Sequence, residues 1–355
     1  MQAYVNRIAT AVPPNDIHHA FSAYAENQLS DVRRQRLFRR MAERSQIDQR
    51  WSCLAPAITG ANQALDTLGL YRPGAFPSTA ERMKVFEATA PDLALQAIDN
   101  LNLGERVRAV THLIVTCCTG FVAPGLDLQI AKRLGLSESV ERTMVGFMGC
   151  YAAINALKLA RHIVRSEPQS QVLVVSLELC TLHLQETDDI EQALTFLVFG
   201  DGCAAALVSA EPQGLSLDSF HVEVARESDD QITWNIRDQG FDMFLSGQVP
   251  ATITRALKAG RERILRGALP GAIDLWAIHP GGRTVLDAVE GAFALPPKAM
   301  AASREVLSRF GNMSSATVLF VLKAIMEGAT AGRSGCAMAF GPGLTAETML
   351  FSGAP

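Results

Sequence analysis

The sequence predicts an α/β protein of stacked sheets and helices, organised as two similar halves. Three observations point there. Short apolar runs rich in β-branched residues recur along the chain, bounded by Gly, Pro or polar clusters. Their apolarity is continuous rather than alternating, as in strands covered on both faces. Longer stretches with apolar residues at helical spacing lie between them. At 355 residues and 48% hydrophobic, the chain can bury one large core or two of ordinary domain size.

In chain order, residues 30–46 come first as an amphipathic basic helix. Arg33, Arg34, Arg36, Arg39, Arg40 and Arg44 crowd it, and Val32, Leu37, Phe38 and Met41 supply a narrow apolar side. Residues 111–116 read as a strand. Residues 152–164 form a helix whose stripe is Ala153, Ile154, Leu157, Ala160, Ile163 and Val164. A second strand covers 172–177. Glu211-Pro212-Gln213-Gly214 is a turn, which divides the chain into halves at 1–212 and 213–355. Strands at 273–278 and 336–340 flank a helix at 315–326. Each half carries a polar reactive residue, Cys150 or Asn312, opening a long helix. That suggests an internal duplication, although no sequence repeat is visible.

Bulk composition excludes several classes. Charged residues make up 19% and the net charge is −4, so the basic excess of a nucleic-acid binder is missing. Seven cysteines with no Cys-x-x-Cys pair indicate neither a disulfide framework nor a zinc site. A reduced, cytoplasmic setting fits, with no metal expected. The first 20 residues lack a signal pattern, and Lys323 interrupts the best apolar stretch, 316–326, well short of membrane-spanning length.

The chemistry converges on three residues. Cys150 sits in Gly146-Phe147-Met148-Gly149-Cys150-Tyr151, where a glycine-bearing turn runs into a helix. The positive end of a helix dipole favours thiolate there. His279 ends a strand in His279-Pro280-Gly281-Gly282, and Asn312 opens Asn312-Met313-Ser314-Ser315. A thiol attacking a thioester needs a partner for its charge and donors for the oxyanion. His279 can hold the thiolate as an ion pair, and His279 with Asn312 can donate to the oxygen. Each residue alone has a plainer reading: a core thiol, an interior histidine, a helix N-cap. Their joint placement at strand and helix ends, where α/β folds put ligands, favours the chemical one. Phe340-Gly341-Pro342-Gly343 follows a strand, and its glycines let backbone approach a ligand closely.

With these segments the chain resembles the type III polyketide synthases, the chalcone-synthase-like condensing enzymes of the thiolase fold. Pro124-Gly125-Leu126-Asp127, Phe199-Gly200-Asp201-Gly202, the His-Pro-Gly-Gly and Gly-Asn-Met-Ser motifs and Phe340-Gly341-Pro342-Gly343 carry the likeness, with Ala339 where the family has a further Gly. The resemblance implies a homodimer of five-layered αβαβα subunits without metal or redox cofactor. It gives Cys150, His279 and Asn312 the triad roles. An acyl-CoA starter loads on Cys150, malonyl-CoA extends it by decarboxylation, and cyclisation yields a resorcinol, pyrone or related aromatic. Phe199 matches one gatekeeper, and the second falls at Met243 with Phe244 beside it. Cys118, Cys180 and His183 match cavity positions, and Arg40 and Arg44 match positions that hold coenzyme A phosphates, with Leu37 where a third basic residue stands. The phrase from Leu177 to His183 is nearer to members that use fatty acyl starters. Three rivals remain: a β-ketoacyl synthase of fatty-acid initiation, a cysteine acyl hydrolase, and a non-catalytic binding protein.

Overall fold

The continuous apolar runs become strands with no exposed face: β4 (His112–Cys117), β6 (Val172–Leu179) and β7 (Asp201–Ser209) are buried at every position. The structure, a computed structural model, describes residues 1–57 and 64–355. Ahead of and among these strands run β1 (Tyr4–Ala11), β2 (Asn15–Asp16), α1 (His18–Gln28), α2 (Val32–Glu43), β3 (Trp51–Ser52), α3 (Thr79–Asp99), α4 (Leu126–Leu134), β5 (Glu141–Gly146), α5 (Ala152–Ser166) and α6 (Ile190–Val198). After β7 come β8 (Leu215–Val224), β9 (Ile232–Arg237), β10 (Gly240–Leu245), α7 (Val249–Ile264), β11 (Leu275–Ile278), α8 (Arg283–Phe293), α9 (Ala301–Phe310), α10 (Thr317–Met326), β12 (Ser334–Gly341) and β13 (Thr345–Gly353).

One mixed sheet of nine strands runs in the order β11-β12-β13-β8-β1-β7-β6-β4-β5. It is continuous because β1 pairs antiparallel with β8, Tyr4 opposite Ser216. Alternate side chains of each strand go to different cores, as the two-residue period of a strand requires. Ile114, Val174 and Ala206 from one end, and Ala337 and Met349 from the other, meet Leu157 of α5 and Leu322 of α10. Leu113 and Val115 instead pack outward on Phe86 and Ala90 of α3 and Ile130 of α4. Trp276, Ile278 and Met338 pack outward on Leu257 of α7 and Val289 of α8. The sheet therefore doubles over the central helices α5 and α10, with helices outside each arm. These are the five αβαβα layers.

The predicted elements form, with small shifts. The helix expected at 315–326 begins with a single 3₁₀ turn, Ser314–Ala316, and turns regular at Thr317. In α2, capped by the Asp31 carboxylate accepting from the Arg33 N–H, only Phe38 of the expected apolar side is buried. Val32, Leu37 and Met41 are exposed, because Leu37 and Met41 border a cavity rather than the core. Among the described residues no helix is long and apolar enough to cross a membrane.

Candidate active site

The chain delivers Cys150 by a sharp reversal. After β5, Phe147 (φ 58°) and Gly149 (φ 74°) take left-handed conformations, and one 3₁₀ turn, Gly149–Tyr151, leads into α5. A non-glycine residue held there stores strain of about 1–3 kcal/mol, which the surrounding packing must over-determine. The packing is visible. A Cβ on Gly149 would lie 2.4 Å from the Cδ of Pro342, so the Phe340-Gly341-Pro342-Gly343 loop locks directly onto the cysteine turn. Gly202 serves the other motif: a Cβ there would sit 2.3 Å from the Met313 sulfur. The Phe-Gly-Asp-Gly and Gly-Asn-Met-Ser segments thus interlock.

Asn312 is held from every side but one. Its N–H donates to the Val198 carbonyl at 2.7 Å, and its carbonyl accepts from Gly200 N–H at 3.0 Å. Its side-chain Oδ1 accepts from the Ser314 N–H at 2.8 Å, which fixes the amide's orientation. Nδ2 is left with one long contact, 3.5 Å to the Gly281 carbonyl, so a donor stays available. The Cys150 sulfur lies 4.0 Å from Oδ1. His279 follows β11, its N–H donating to the Met338 carbonyl at 2.8 Å. The ring is 1% exposed, and neither ring nitrogen has a partner among the described residues. A buried imidazole with two unmet nitrogens is expensive unless a ligand meets them.

These three residues line one cavity of about 600 Å³. Cys118, Phe199, Met243, Phe340, Gly341 and Pro342 line it too. Arg44 reaches its rim together with Leu37 and Met41, whereas Arg40 is exposed in the last turn of α2 and outside the lining. Of the two second-gatekeeper candidates, Met243 lines the cavity and Phe244 points out, 45% exposed. Gly343, with φ 68°, turns the loop away and is not in the lining. Cys180 lines a separate cavity that shares Phe199 as a wall. His183 lines neither: its ring stacks on Phe241 at 4.1 Å, and its nitrogens are taken by the Thr119 carbonyl at 2.6 Å and the Phe241 N–H at 3.0 Å.

Protonation corrects one expectation. Burial pushes the Cys150 thiol up to about 11, against which hydrogen bonds to Ser314 and Asn312 work only in part. Burial likewise pulls His279 down to about 3. The helix N-terminus alone therefore does not make a thiolate here; desolvation opposes each charge taken singly. Proton transfer from this thiol to the imidazole would leave the pair neutral as a whole, although no hydrogen bond joins the two among the described residues. With His279→Ala, the pH profile of iodoacetamide inactivation should shift upward, toward that of a buried thiol with no proton acceptor beside it. The wild-type profile should lie well below it. Thiolate reactivity rises with pH through the thiol pKa, so the variant is the slower of the two at neutral pH. Identical profiles would remove His279 from this role.

Sequence reading missed Glu178. It is fully buried in β6 and accepts from Cys118 N–H at 3.0 Å, the Thr119 hydroxyl at 2.8 Å and the Ser315 hydroxyl at 2.5 Å. Burial raises its pKa, and those hydrogen bonds oppose the rise. It ties the segment after β4 to the serines following Asn312, and the Cys118 sulfur sits 3.4 Å from the Ser314 hydroxyl. The signal was a carboxylate inside an otherwise apolar strand, Leu177-Glu178-Leu179. Glu178→Leu strands several buried donors and should destabilise the fold by about 3 kcal/mol or more in chemical denaturation. A change under about 1 kcal/mol would show that the network does not hold the site together.

The family described as chalcone and stilbene synthases, N-terminal domain, matches residues 2–212, and its C-terminal domain matches residues 217–355. The alpha-pyrone synthesis polyketide synthase-like Pks18 of Mycobacterium tuberculosis is 37% identical over 285 residues, 76% of this chain and 72% of that protein. Bisdemethoxycurcumin synthase of Oryza sativa subsp. japonica is 36% identical over 296 residues, 77% of this chain and 74% of its own. Among solved structures, the C-terminal type III polyketide synthase domain of Steely1, a type I/III hybrid from Dictyostelium, superposes with a TM-score of 0.90 at 24% identity over the whole of both chains. PKS-I from the brown alga Ectocarpus siliculosus gives 0.84 at 27% identity, covering 99% of this chain and 98% of its own.

Proposed function

Because the chain belongs to the chalcone and stilbene synthase family, the type III polyketide synthases that condense acyl units with malonyl-CoA, we propose that it loads a fatty acyl starter on Cys150 and extends it to an alkylpyrone or alkylresorcinol. The observation that carries this is Cys150, His279 and Asn312 together in one largely apolar cavity of about 600 Å³. Such a cavity suits an apolar chain better than a polar starter. The name of the mycobacterial relative, 37% identical, speaks for a pyrone.

The steps follow from the residues. Cys150 gives its proton to His279 and attacks the starter thioester carbonyl. The bond to the coenzyme A sulfur breaks, and that sulfur leaves with the proton from the imidazole. Malonyl-CoA then loses CO₂, and the bonding pair passes into an enolate. The His279 ring N–H and Asn312 Nδ2 donate to the enolate oxygen as charge gathers there. The enolate carbon attacks the acyl carbonyl on Cys150 and releases the sulfur for the next round. Phe199 and Met243 gate the cavity between coenzyme A and the growing chain. Arg44 at the rim and Arg40 outside it take the coenzyme A phosphates through bidentate contacts. No metal or organic redox cofactor is needed for this sequence of steps.

Purified protein incubated with labelled malonyl-CoA and acyl-CoA starters of graded length should give labelled ring products, detected by mass spectrometry, with long starters preferred. Free starter acid, with malonyl label in no new carbon–carbon product, would point to a hydrolase instead.

We also propose a homodimer. β5 is the sheet's last strand, paired on one side only with β4, and its first four residues are exposed. Met144 on it and Phe121 and Met148 beside it expose 38%, 42% and 36% of their surface. An open edge flanked by apolar side chains needs covering, and a second copy joined along β5 covers it. Met144→Arg should shift the protein to monomer in analytical ultracentrifugation; an unchanged dimer would place the interface elsewhere.

A further inference from the structure

The cavity lined by Cys180 holds about 570 Å³, within the range of small-molecule sites, about 300–1,000 Å³. α1, residues 50–57 and 65–73, and the ends of β6 and α6 enclose it. Its lining is mostly apolar, including Ile17, Phe21, Leu54, Leu65, Leu184 and Phe196. Polar side chains interrupt it, among them Asn27, Gln28, Ser52, Thr181 and Asp66, whose carboxylate is taken up by the N–H groups of Leu68, Leu70 and Tyr71; two, Arg50 and Tyr24, hold unmet donors. Arg50 is 1% exposed. Its Nε donates to His18 Nδ1 at 3.1 Å, and its Nη1 to the carbonyls of Phe196 at 3.0 Å and Phe199 at 2.5 Å. All these partners are uncharged, since burial and the guanidinium itself pull His18 down to about 4. Nη2 has no partner among the described residues. Tyr24 lines the same cavity, and its buried hydroxyl likewise has no partner among the described residues.

The Asp16 and Asp201 carboxylates act on the guanidinium through space, but neither accepts a hydrogen bond from its side chain among the described residues, and an anion bound at the unmet edge lowers the cost of its burial. Burial lowers its pKa to about 9, which leaves it a cation at neutral pH. Its unmet Nη2 and the phenolic O–H of Tyr24, another residue of the same lining, are the donors available to one acceptor group. The apolar remainder accommodates a chain.

We propose that this second cavity binds a carboxylic acid with an apolar chain, its carboxylate on Arg50 Nη2 and the Tyr24 hydroxyl. Phe21, whose ring lies 4.7 Å from the guanidinium carbon and which also lines the cavity, is the side chain that turns to admit the head group. Phe199 lines both cavities while Arg50 holds its carbonyl, so the two sites share a wall. The site does not depend on the condensation chemistry, because binding alone reads it out.

The test is calorimetric titration of the whole protein with decanoate and, separately, decanol. Decanoate should bind one-to-one and at least about tenfold tighter than decanol, as a charge-assisted hydrogen bond to Arg50 requires. Tyr24→Phe should weaken decanoate about fivefold and leave decanol unchanged. Because that hydroxyl has no partner among the described residues, the variant should melt at or above the wild-type temperature, which separates lost binding from lost folding. Ala20→Trp, which fills the cavity from α1, should abolish binding, whereas Met243→Trp in the catalytic cavity should not. Equal affinity for acid and alcohol, or binding that survives Ala20→Trp and fails in Met243→Trp, overturns the proposal.

Discussion

Cys150→Ala is expected to take up no starter and make no condensation product, while Cys150→Gln continues to release CO₂ from malonyl-CoA. The two outcomes separate the two jobs of the site. Loading needs a nucleophilic sulfur, and nothing nearby can replace it: Cys118 also lines the cavity, but its thiol is held by Glu178 at 3.3 Å and pushed far up by burial and that carboxylate. Decarboxylation needs donors at the enolate oxygen, and His279 and Asn312 stay in place when residue 150 changes. Intact-protein mass after exposure to an acyl-CoA reads the first job. Labelled CO₂ from carboxyl-labelled malonyl-CoA reads the second. A mass gain on Cys150→Ala would mean that the acyl group rides on another residue.

Asn312→Ala should slow malonyl decarboxylation by about 100- to 1,000-fold, the usual effect of deleting one preorganised oxyanion donor, about 2.7–4 kcal/mol. The amide is preorganised in a concrete sense. Ser314 N–H fixes its oxygen, and backbone bonds to Val198 and Gly200 fix its main chain. No reorganisation is then required as charge develops. Starter loading on the same variant should fall as well, since the loading step also builds charge on a carbonyl oxygen. Unchanged CO₂ release would leave His279 as the sole donor.

Much of this was legible in the sequence, for local reasons. A fully buried strand must be apolar throughout, so β4 and β6 announced themselves and their neighbours. Cys150, His279 and Asn312 could be picked out because glycine-bearing turns mark where backbone is forced into tight reversals at strand and helix ends. What escaped was set by long-range burial. Glu178 finds its partners 60 and 137 residues away, and only the fold says that these hydroxyls and amides converge on it. Nothing in the sequence marks Arg50, which follows a basic helix, yet it is among the most deeply buried side chains. Cys180 and His183 lie three residues apart at the end of β6, and a one-turn 3₁₀ segment, Cys180–His183, sends the first to one cavity and the second into an aromatic stack. The helix dipole pointed to a thiolate at Cys150, whereas burial of the sulfur, which only the fold reveals, pushes its pKa up.

The lock between Gly149 and Pro342 has a consequence for how such a protein diversifies. On that flank the reaction chamber is walled by main chain and interlocked glycines, where even one added methyl collides at 2.4 Å. Elsewhere in the lining Met243 projects from the β9–β10 hairpin and Leu37 and Met41 from α2, where no glycine contact of this kind holds them. New chamber shapes are therefore more easily carved from these elements. Heritable variation in product should concentrate in the hairpin and the basic helix while the cysteine turn stays frozen.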